Sequence, residues 1–317
     1  MNNYPKVIIS DEKILENKKE IFKKSFCRHL DDDGKKDKIL VVSDFDYTLF
    51  NKYNYSTGEK FESSYGMYNQ DVFGGNQNDL INKRKILHDM YLKYEEDFSI
   101  DEEVRKEKLM EWYVKALNYM CHPKFTRESV QRMVALKSDK IYFKKNLAKF
   151  YEKLIELNIP IIIVSGGIKE IIIEVLKLLN IKGLDDYIKR KRIHFIANEF
   201  CFDENDKCIG YSKDVVYGFN KSEHVKKLVD QNFPNIENVF VFGDLDTDYK
   251  SIEKLNLNKD KNVIGIGFVY FYPEEIKSKD FDFQNNSQII SFKKIFDINL
   301  LLEEGYDYPL ELLNIFE

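Results

Sequence analysis

The sequence has few cysteines, and their spacing gives no sign of a shared task. Its 317 residues include four, at Cys27, Cys121, Cys201 and Cys208, and no two of them form a Cys-x-x-Cys pair. Disulfide frameworks and cysteine zinc sites both show closely or regularly spaced cysteines. The spacing therefore argues against both, and it favours a reducing compartment.

The sequence also lacks an excess of positive charge. Its 49 lysines and arginines stand against 54 aspartates and glutamates, which gives a net charge of −5. Proteins that hold nucleic acid through phosphate contacts carry a strongly basic surface, so this balance argues against such a partner. A small anionic substrate is compatible with it, provided that a few cations or a metal ion lie in the site.

Long apolar runs are missing as well. No stretch of about 18 apolar residues occurs, so the sequence predicts no membrane span. Residues 1–20 are charged throughout and lack the apolar region of a signal peptide. We therefore expect a soluble cytoplasmic protein whose partner is neither a membrane nor a nucleic acid.

The sequence does contain enough apolar material for a large core, with 43% hydrophobic and 14% aromatic residues. Its length favours two domains, or one large domain with an insertion. Short apolar runs alternate with helical patterns, which predicts a doubly wound parallel α/β sheet. The clearest strand-like runs are residues 39–43, 161–164, 238–242 and 263–271, with further strands at 193–200 and 207–219. Helices are predicted for residues 9–30, for most of 80–157 and for the C-terminal region.

Polar residues follow three of these runs directly, at Asp44–Thr48, Ser165–Gly167 and Gly243–Asp248. In open parallel sheets, ligands bind outside the carboxyl ends of the strands. The sequence therefore predicts that these three segments share one site.

The first segment, Asp44-Phe45-Asp46-Tyr47-Thr48, carries two carboxylates at positions i and i+2. Such a pair can lie on either side of a reacting phosphorus, where one acid attacks and the other protonates the departing oxygen. Taken alone, the motif is also compatible with an acidic turn. Ser165 can hold phosphate oxygens at a strand-to-helix turn, where a helix N-terminus favours an anion, although an ordinary N-cap serine is the alternative.

Two further elements complete the pattern. Lys221, at a predicted helix start, can offset the charge of a nucleophilic carboxylate and a phosphate. The acids between Asp244 and Asp248 offer the hard oxygen ligands that suit Mg²⁺, although an acidic loop has the same composition. All four elements occur in one order, and three follow buried strands, which makes coincidence remote.

These motifs resemble those of the haloacid-dehalogenase-like phosphohydrolases. The sequence between them is similar to one branch, the cytosolic 5′-nucleotidase III or pyrimidine 5′-nucleotidase family. The pieces that carry this resemblance are YEEDFSIDEEVRKEKLMEWY, SDKIYFKKNLAKFYEKLIELNIPIIIVSGG and NEFCFDENDKCIGYSKDVVYGFNK. The resemblance implies a Rossmann-like core of residues 1–50 and 158–317, with a helical cap inserted at residues 51–157.

The resemblance also implies roles for the acids. Asp44 is then the nucleophile that forms an aspartyl-phosphate. Asp46 is the general acid–base, and its backbone carbonyl is a metal ligand. Asp44 and Asp244 bind Mg²⁺ through their carboxylates, and Asp248 supports the metal site.

The remaining motif residues are implied to bind phosphate. Ser165 and the Gly166 amide hold the phosphate oxygens, and Lys221 orients both the nucleophile and the phosphate. The family's Ser-Ala-Gly loop is Ser165-Gly166-Gly167 here, a change that leaves the amide in place.

In the cap, the resemblance implies that Glu95 hydrogen-bonds the base and that Tyr113 stacks on it, with Tyr65 near another aromatic position. The alternatives are a solvated acidic run for Glu95 and cap core for Tyr113. Ala116 stands where the family often has a substrate-contacting serine, which puts fine substrate preference in doubt.

The function that follows is Mg²⁺-dependent hydrolysis of a nucleoside 5′-monophosphate, with a preference for pyrimidine nucleotides such as CMP and UMP. Two alternatives stay open. One is a phosphatase of the same fold acting on another small phosphate such as phosphoserine. The other is a non-catalytic nucleotide-binding regulator, which the intact motif residues argue against because a pseudoenzyme is free to lose them.

Overall fold

The computed structural model describes residues 5–31, 37–97, 99–278 and 281–317. Its strands are β1 (Val7–Ile9), β2 (Ile39–Ser43), β3 (Ile161–Ile168), β4 (Ile193–Asn198), β5 (Phe200–Phe202), β6 (Cys208–Tyr211), β7 (Asn238–Gly243), β8 (Val263–Val269) and β9 (Ile298–Leu301). Seven of them form one sheet in the order β1-β9-β8-β7-β2-β3-β4. All neighbouring pairs are parallel except β1 with β9. β5 and β6 form a separate antiparallel hairpin.

Helices cover the sheet and fill the segment between β2 and β3. They are α1 (Glu12–Asp31), α2 (Gln77–Glu96), α3 (Glu102–Met120), α4 (Arg127–Leu136), α5 (Leu147–Glu156), α6 (Lys169–Lys177), α7 (Leu184–Lys189), α8 (Lys221–Asn232), α9 (Asp246–Lys250), α10 (Lys259–Asn262), α11 (Pro273–Lys277), α12 (Ser287–Lys293) and α13 (Asp307–Leu312). Short 3-10 turns lie at Gln70–Phe73, Ser138–Lys140, Gly218–Asn220 and Leu313–Phe316. Among the helices of the described ranges, none combines the length and the apolar character needed to cross a membrane.

The sheet is buried on both faces, as the near-continuous apolar runs predict. In β2, Ile39 and Val41 belong to one hydrophobic cluster, while Leu40 and Val42 belong to another. The first cluster receives Phe22 from α1, and the second receives side chains of α8. The predicted doubly wound parallel α/β architecture is confirmed, with β1 as an antiparallel strand at one edge.

The predicted elements include the N-terminal helix but omit two short strands near the ends of the chain. β1 occupies Val7–Ile9, and α1 begins only at Glu12. β9 lies within the C-terminal region that was predicted to be helical. Strands of three and four residues are too short to display a two-residue period, so their pattern merges with that of the neighbouring helices.

The strand order places the predicted site residues at one edge of the sheet. β2 lies between β7 and β3, and Ser43 pairs with Ile163 on one side and Phe242 on the other. The carboxyl ends of these three strands therefore lie side by side at the point where the strand order reverses, which is where ligands bind in such sheets.

The hairpin β5–β6 follows β4 in sequence but packs on the helices inserted between β2 and β3. The backbone N–H of Cys208 donates to the carbonyl of Phe125, at 3.0 Å. The Phe125 ring lies 4.9 Å from that of Phe200 between centroids. The thiols of Cys121, at the end of α3, and Cys208 lie 3.5 Å apart. The inserted helices are therefore attached to the core through this hairpin as well as through their own ends.

Helix α5 packs against the sheet, although the cap expected at residues 51–157 includes it. Its Phe150 ring lies 5.3 Å from that of Phe242 in β7 and 4.9 Å from that of Tyr306. We therefore propose that the inserted segment ends before α5.

Candidate active site

The centre of the site is a buried lysine shared by two carboxylates. Lys221, the first residue of α8, places its Nζ 2.7 Å from Asp44 Oδ1 and 2.7 Å from Asp248 Oδ1. The exposed fractions are 6% for Lys221, 7% for Asp44 and 2% for Asp248. Burial alone would lower the pKa of Lys221, but the two carboxylates outweigh burial and raise it, so the side chain stays charged.

Asp44 continues the end of β2 towards this lysine. Its backbone N–H donates to the carbonyl of Phe242 at 3.0 Å, and the Thr48 hydroxyl donates to its Oδ2 at 3.3 Å. Between them, Tyr47 has a φ of 59°. This left-handed conformation costs a non-glycine residue about 1–2 kcal/mol, and it occurs in the tight turn that places Thr48 beside Asp44.

Three acids come close enough to share a cation. Asp44, Asp244 and Asp248 each bring one carboxylate oxygen to within 4.8 Å of the others. Burial, reinforced by Asp248, raises the pKa of Asp44 well above its ordinary value. Burial also raises the pKa of Asp244 to about 7, although Lys52 opposes the shift from 3.9 Å away. Hard oxygen donors and incompletely balanced negative charge fit a divalent cation such as Mg²⁺.

Asp248 also fixes the loop that carries Asp244. Its Oδ2 accepts hydrogen bonds from the backbone N–H groups of Asp244, at 3.1 Å, and Leu245, at 2.9 Å. A Cβ added at Gly243 would lie only 2.2 Å from the Cβ of Asp248, so this close approach requires glycine. With Oδ1 on Lys221 and Oδ2 on the loop, Asp248 is placed to support the acidic group.

Asp46 is held by a serine that the sequence analysis did not single out. The backbone N–H of Ser64 donates to Asp46 Oδ1 at 2.5 Å, and the Ser64 hydroxyl donates to Oδ2 at 2.6 Å. Burial raises the pKa of Asp46, and the two bonds from Ser64 oppose that shift. The two residues are 18 positions apart in irregular chain, so no local sequence motif predicts the contact.

Ser165–Gly167 lie inside an irregular stretch of β3, where the pairing with β4 shifts between Val164 and Ile168. The Ser165 hydroxyl accepts a hydrogen bond from the Gly167 N–H at 2.9 Å. Helix α6 begins only at Lys169, so the expectation that Ser165 lies at a helix N-terminus is wrong. The loop forms because the bulge in β3 interrupts the pairing.

Asn198 is a second residue that the sequence analysis did not single out. Its Nδ2 donates to the carbonyls of Gly166, at 2.8 Å, and Val216, at 2.9 Å. Its Oδ1 accepts from the Val216 N–H at 2.9 Å. The side chain is almost fully buried, so these bonds tie the predicted phosphate loop to the chain that leads to Lys221.

The two aromatic residues predicted in the cap have different neighbours. A Cβ built at Gly166 would lie 2.6 Å from the Tyr113 hydroxyl oxygen, so that hydroxyl contacts the predicted phosphate loop. The Tyr113 ring also lies 6.0 Å from that of Tyr217. Tyr65 lies beneath the Arg84 guanidinium, whose carbon is 4.2 Å from the ring centroid.

Glu95 lies in the last turn of α2, and its side chain is outside the described residues. Ala116 is buried in a small cluster with Leu87 and Tyr91, against which Tyr65 and Trp112 pack. The structure therefore gives Ala116 a packing contact within the inserted helices.

Comparison with known proteins shows the family of this chain. The model of the family described as pyrimidine 5′-nucleotidase (UMPH-1) matches residues 47–316. A putative cytosolic 5′-nucleotidase 3 of Caenorhabditis elegans is 28% identical over 217 residues, which are 65% of this chain and 53% of that protein. The chain thus spans about half the length of this relative. The 7-methylguanosine phosphate-specific 5′-nucleotidase A of Xenopus laevis is 23% identical over 278 residues, which are 86% of each chain.

One solved structure is similar over nearly the whole chain. The crystal structure of cytosolic 5′-nucleotidase IIIB bound to cytidine has a TM-score of 0.73 and 18% identity, and the match covers 99% of this chain and 94% of that one. At this identity the likeness shows the fold alone.

Proposed function

Because this chain belongs to the pyrimidine 5′-nucleotidase (UMPH-1) family, we propose that it hydrolyses nucleoside 5′-monophosphates with Mg²⁺ as its cofactor and prefers pyrimidine nucleotides such as CMP and UMP. The observation that carries the proposal is the buried Lys221 between Asp44 and Asp248, 2.7 Å from each, at the carboxyl ends of the sheet. A carboxylate that attacks a phosphate anion must overcome like-charge repulsion, and this arrangement supplies a fixed cation where the repulsion arises.

In the proposed reaction, the Asp44 carboxylate attacks phosphorus while the bond to the ribose 5′-oxygen breaks. Asp46 gives its proton to that departing oxygen, so the nucleoside leaves as an alcohol. Asp46 then takes a proton from a water molecule that attacks the aspartyl-phosphate, and the products are inorganic phosphate and free Asp44.

Asp44 and Asp244 are the side chains proposed to hold Mg²⁺, with the Asp46 carbonyl as a further ligand and Asp248 in support. The ion, when bound, would stabilise the charge on the phosphoryl oxygens. Ser165 and the Gly166 amide are proposed to bind the phosphate, on the loop that Asn198 holds from behind.

Recognition of the base is assigned to the inserted helices. We propose that Glu95 accepts a hydrogen bond from the base and that Tyr113 and Tyr65 offer it aromatic faces. The contact of the Tyr113 hydroxyl with Gly166 supports a position for this ring next to the proposed phosphate loop. Arg84 covers one face of Tyr65, and this cation–π contact would hold the ring in place.

A second candidate substrate is 7-methylguanosine 5′-monophosphate, because several relatives, including the Xenopus laevis and Homo sapiens proteins, are named as specific for 7-methylguanosine phosphate. Phosphoserine and a non-catalytic regulator are the other outcomes that the same experiment distinguishes. The compartment that we propose is the cytoplasm, in line with the relative named as a cytosolic enzyme.

The test is steady-state hydrolysis of CMP, UMP, AMP, GMP, 7-methyl-GMP and phosphoserine, each with Mg²⁺ and with EDTA. We expect kcat/KM to be highest for CMP or UMP, with activity lost in EDTA and restored by added Mg²⁺. A highest value for 7-methyl-GMP would replace the pyrimidine preference. A highest value for phosphoserine would contradict the nucleotidase assignment. Nucleotide binding without turnover of any substrate would favour the regulator.

A further inference from the structure

Ser64 occupies a position that the proposed reaction does not yet use. It lies in the loop between β2 and α2, is completely buried, and contacts both oxygens of the Asp46 carboxylate. One contact comes from its backbone N–H and the other from its hydroxyl, so a single residue donates a hydrogen bond to each oxygen of the carboxyl group. Two such bonds fix the plane of a group that is otherwise free to rotate.

The same hydroxyl lies against the predicted phosphate loop. A Cβ built on Gly167 would fall 2.2 Å from Ser64 Oγ and 3.1 Å from Ser165 Oγ. Glycine at position 167 therefore makes the room that the Ser64 hydroxyl occupies. Ser64 thus lies between the proposed acid–base and the proposed phosphate site, in contact with both.

The loop that carries Ser64 is held in turn by the inserted segment. Lys137 Nζ donates to the Gly66 carbonyl at 2.7 Å and lies 3.4 Å from Glu62 Oε1. The Gly66 N–H donates to the Ser63 hydroxyl oxygen at 3.1 Å. These contacts hold the residues that flank Ser64 in the chain.

We infer that Ser64 is a positioning residue that aligns the Asp46 carboxyl group with the departing oxygen. The inference rests on the proposed function, in which Asp46 protonates that oxygen. Proton transfer in the transition state contributes about 10²- to 10⁴-fold to a rate, and it requires the acid within hydrogen-bond reach of the leaving atom. A misplacement of about 1 Å can cost about 10²-fold. The inserted segment therefore does more than cover the site, because it also sets the geometry of the acid.

Substrates with different leaving groups distinguish a positioning role of Ser64 from a structural role. The ribose 5′-oxygen is a poor leaving group and needs the proton from Asp46. Nitrophenolate is a stable anion that departs without a proton. Loss of alignment should therefore slow the release of an alcohol while sparing the release of nitrophenolate.

The experiment measures kcat/KM for Ser64→Ala with the best nucleotide, with β-glycerophosphate as an alkyl phosphate without a base, and with p-nitrophenyl phosphate. We expect kcat/KM to fall by about 10- to 100-fold on both alkyl phosphates and by less than about 3-fold on p-nitrophenyl phosphate. Ser56→Ala, at an exposed serine in the same loop, is the matched control and should keep kcat/KM near the wild-type value on all three substrates.

Equal losses on all three substrates would assign Ser64 a structural role, and no loss on the alkyl phosphates would also overturn the inference. If Ser64→Ala folds poorly, Ser64→Cys keeps the volume and replaces the hydroxyl with a weak thiol donor, and it should show the same split. In an Asp46→Asn background, Ser64→Ala should cause no further loss on alkyl phosphates. A wild-type enzyme that hydrolyses β-glycerophosphate but no nucleotide would refute the proposed function while leaving this comparison intact.

Discussion

Replacing Lys221 with methionine should lower the free energy of unfolding of the metal-free protein by about 3–5 kcal/mol, because the change leaves buried carboxylates without their shared cation. The ammonium group lies 2.7 Å from both Asp44 and Asp248, and the lysine is 6% exposed. Methionine keeps most of the side-chain volume, so the variant loses a charge and two hydrogen bonds rather than gaining a large cavity.

The loss of unfolding free energy in Lys221→Met should increase as the pH rises. Burial and Asp248 already raise the folded-state pKa of Asp44 above its unfolded value of 3.8. Without the ammonium the folded-state pKa rises further, so the folded variant retains a proton that the unfolded chain releases. The shift does not change the free energy of unfolding below the pKa of Asp44 in the unfolded chain. It lowers that free energy increasingly as the pH rises towards the pKa of Asp44 in the folded variant. We therefore expect a smaller destabilisation at about pH 5 than at about pH 8.

Urea unfolding, followed by circular dichroism in EDTA and in Mg²⁺, measures this effect. A ligand at about 100 times its Kd adds about 2.7 kcal/mol to the folded state, and the variant should gain more than the wild type because a divalent cation replaces the lost charge. Lys226→Met, on the same helix, is the control. It removes an exposed ion pair with Asp230, which is worth about 0.5 kcal/mol. If Lys221→Met in EDTA at about pH 8 unfolds within about 0.5 kcal/mol of the wild type, the reasoning about the buried charges is wrong.

Four further outcomes follow from the site. Asp44→Asn should fold normally and keep less than about a tenth of the wild-type kcat, a barrier change above about 1.4 kcal/mol; a higher kcat would remove Asp44 as the nucleophile. Glu95→Gln should lower kcat/KM for CMP by about 10- to 150-fold and spare p-nitrophenyl phosphate, whereas equal losses on the two would indicate general damage. Gly167→Ala places a Cβ 2.2 Å from Ser64 Oγ and should reduce kcat/KM on alkyl phosphates by at least about 10-fold; Gly210→Ala, whose Cβ meets no atom within 4 Å, should not. Burial raises the pKa of Glu170 from 4.5 to about 7, so stability should fall by up to about 3 kcal/mol as the pH rises through that window. Glu170→Gln should abolish that fall in urea titrations at several pH values, and an unchanged pH dependence would contradict the assignment.

The sequence predicts the sheet and the acids at its strand ends because both leave a local trace. An apolar run followed directly by Asp44 or Asp244 can be read from neighbouring residues, and parallel sheets place such ends together. The structure brings Asp44 and Asp248 to 2.7 Å from Lys221 and places one oxygen of Asp244 within 4.8 Å of both acids, as that reasoning requires. Their catalytic and metal-binding roles stay predictions.

Contacts that depend on how irregular chain folds back leave no such trace. Ser64 reaches Asp46 across 18 residues, and Asn198 reaches Gly166 across 32. Neither residue type is unusual in a loop or at a strand end, so nothing in the sequence distinguishes them. The sequence predicts helix α5 but assigns it to the cap. An amphipathic pattern indicates that one face of a helix is buried, but it does not indicate which other element that face packs on.

The hairpin β5–β6 has a mechanical consequence for the inserted helices. An inserted segment that is joined to the core only through its two ends can rotate freely about them. In this protein the inserted helices also contact the core elsewhere, since α4 packs on α6. The hairpin adds a further attachment, so a movement of these helices must either shift the contact between Cys121 and Cys208 or carry the hairpin along. Asn198 pairs with Val216 at the foot of the hairpin and also holds Gly166. A displacement that moved the hairpin would therefore also shift the predicted phosphate loop and the chain leading to Lys221, which couples the position of the inserted helices to the geometry of the proposed site.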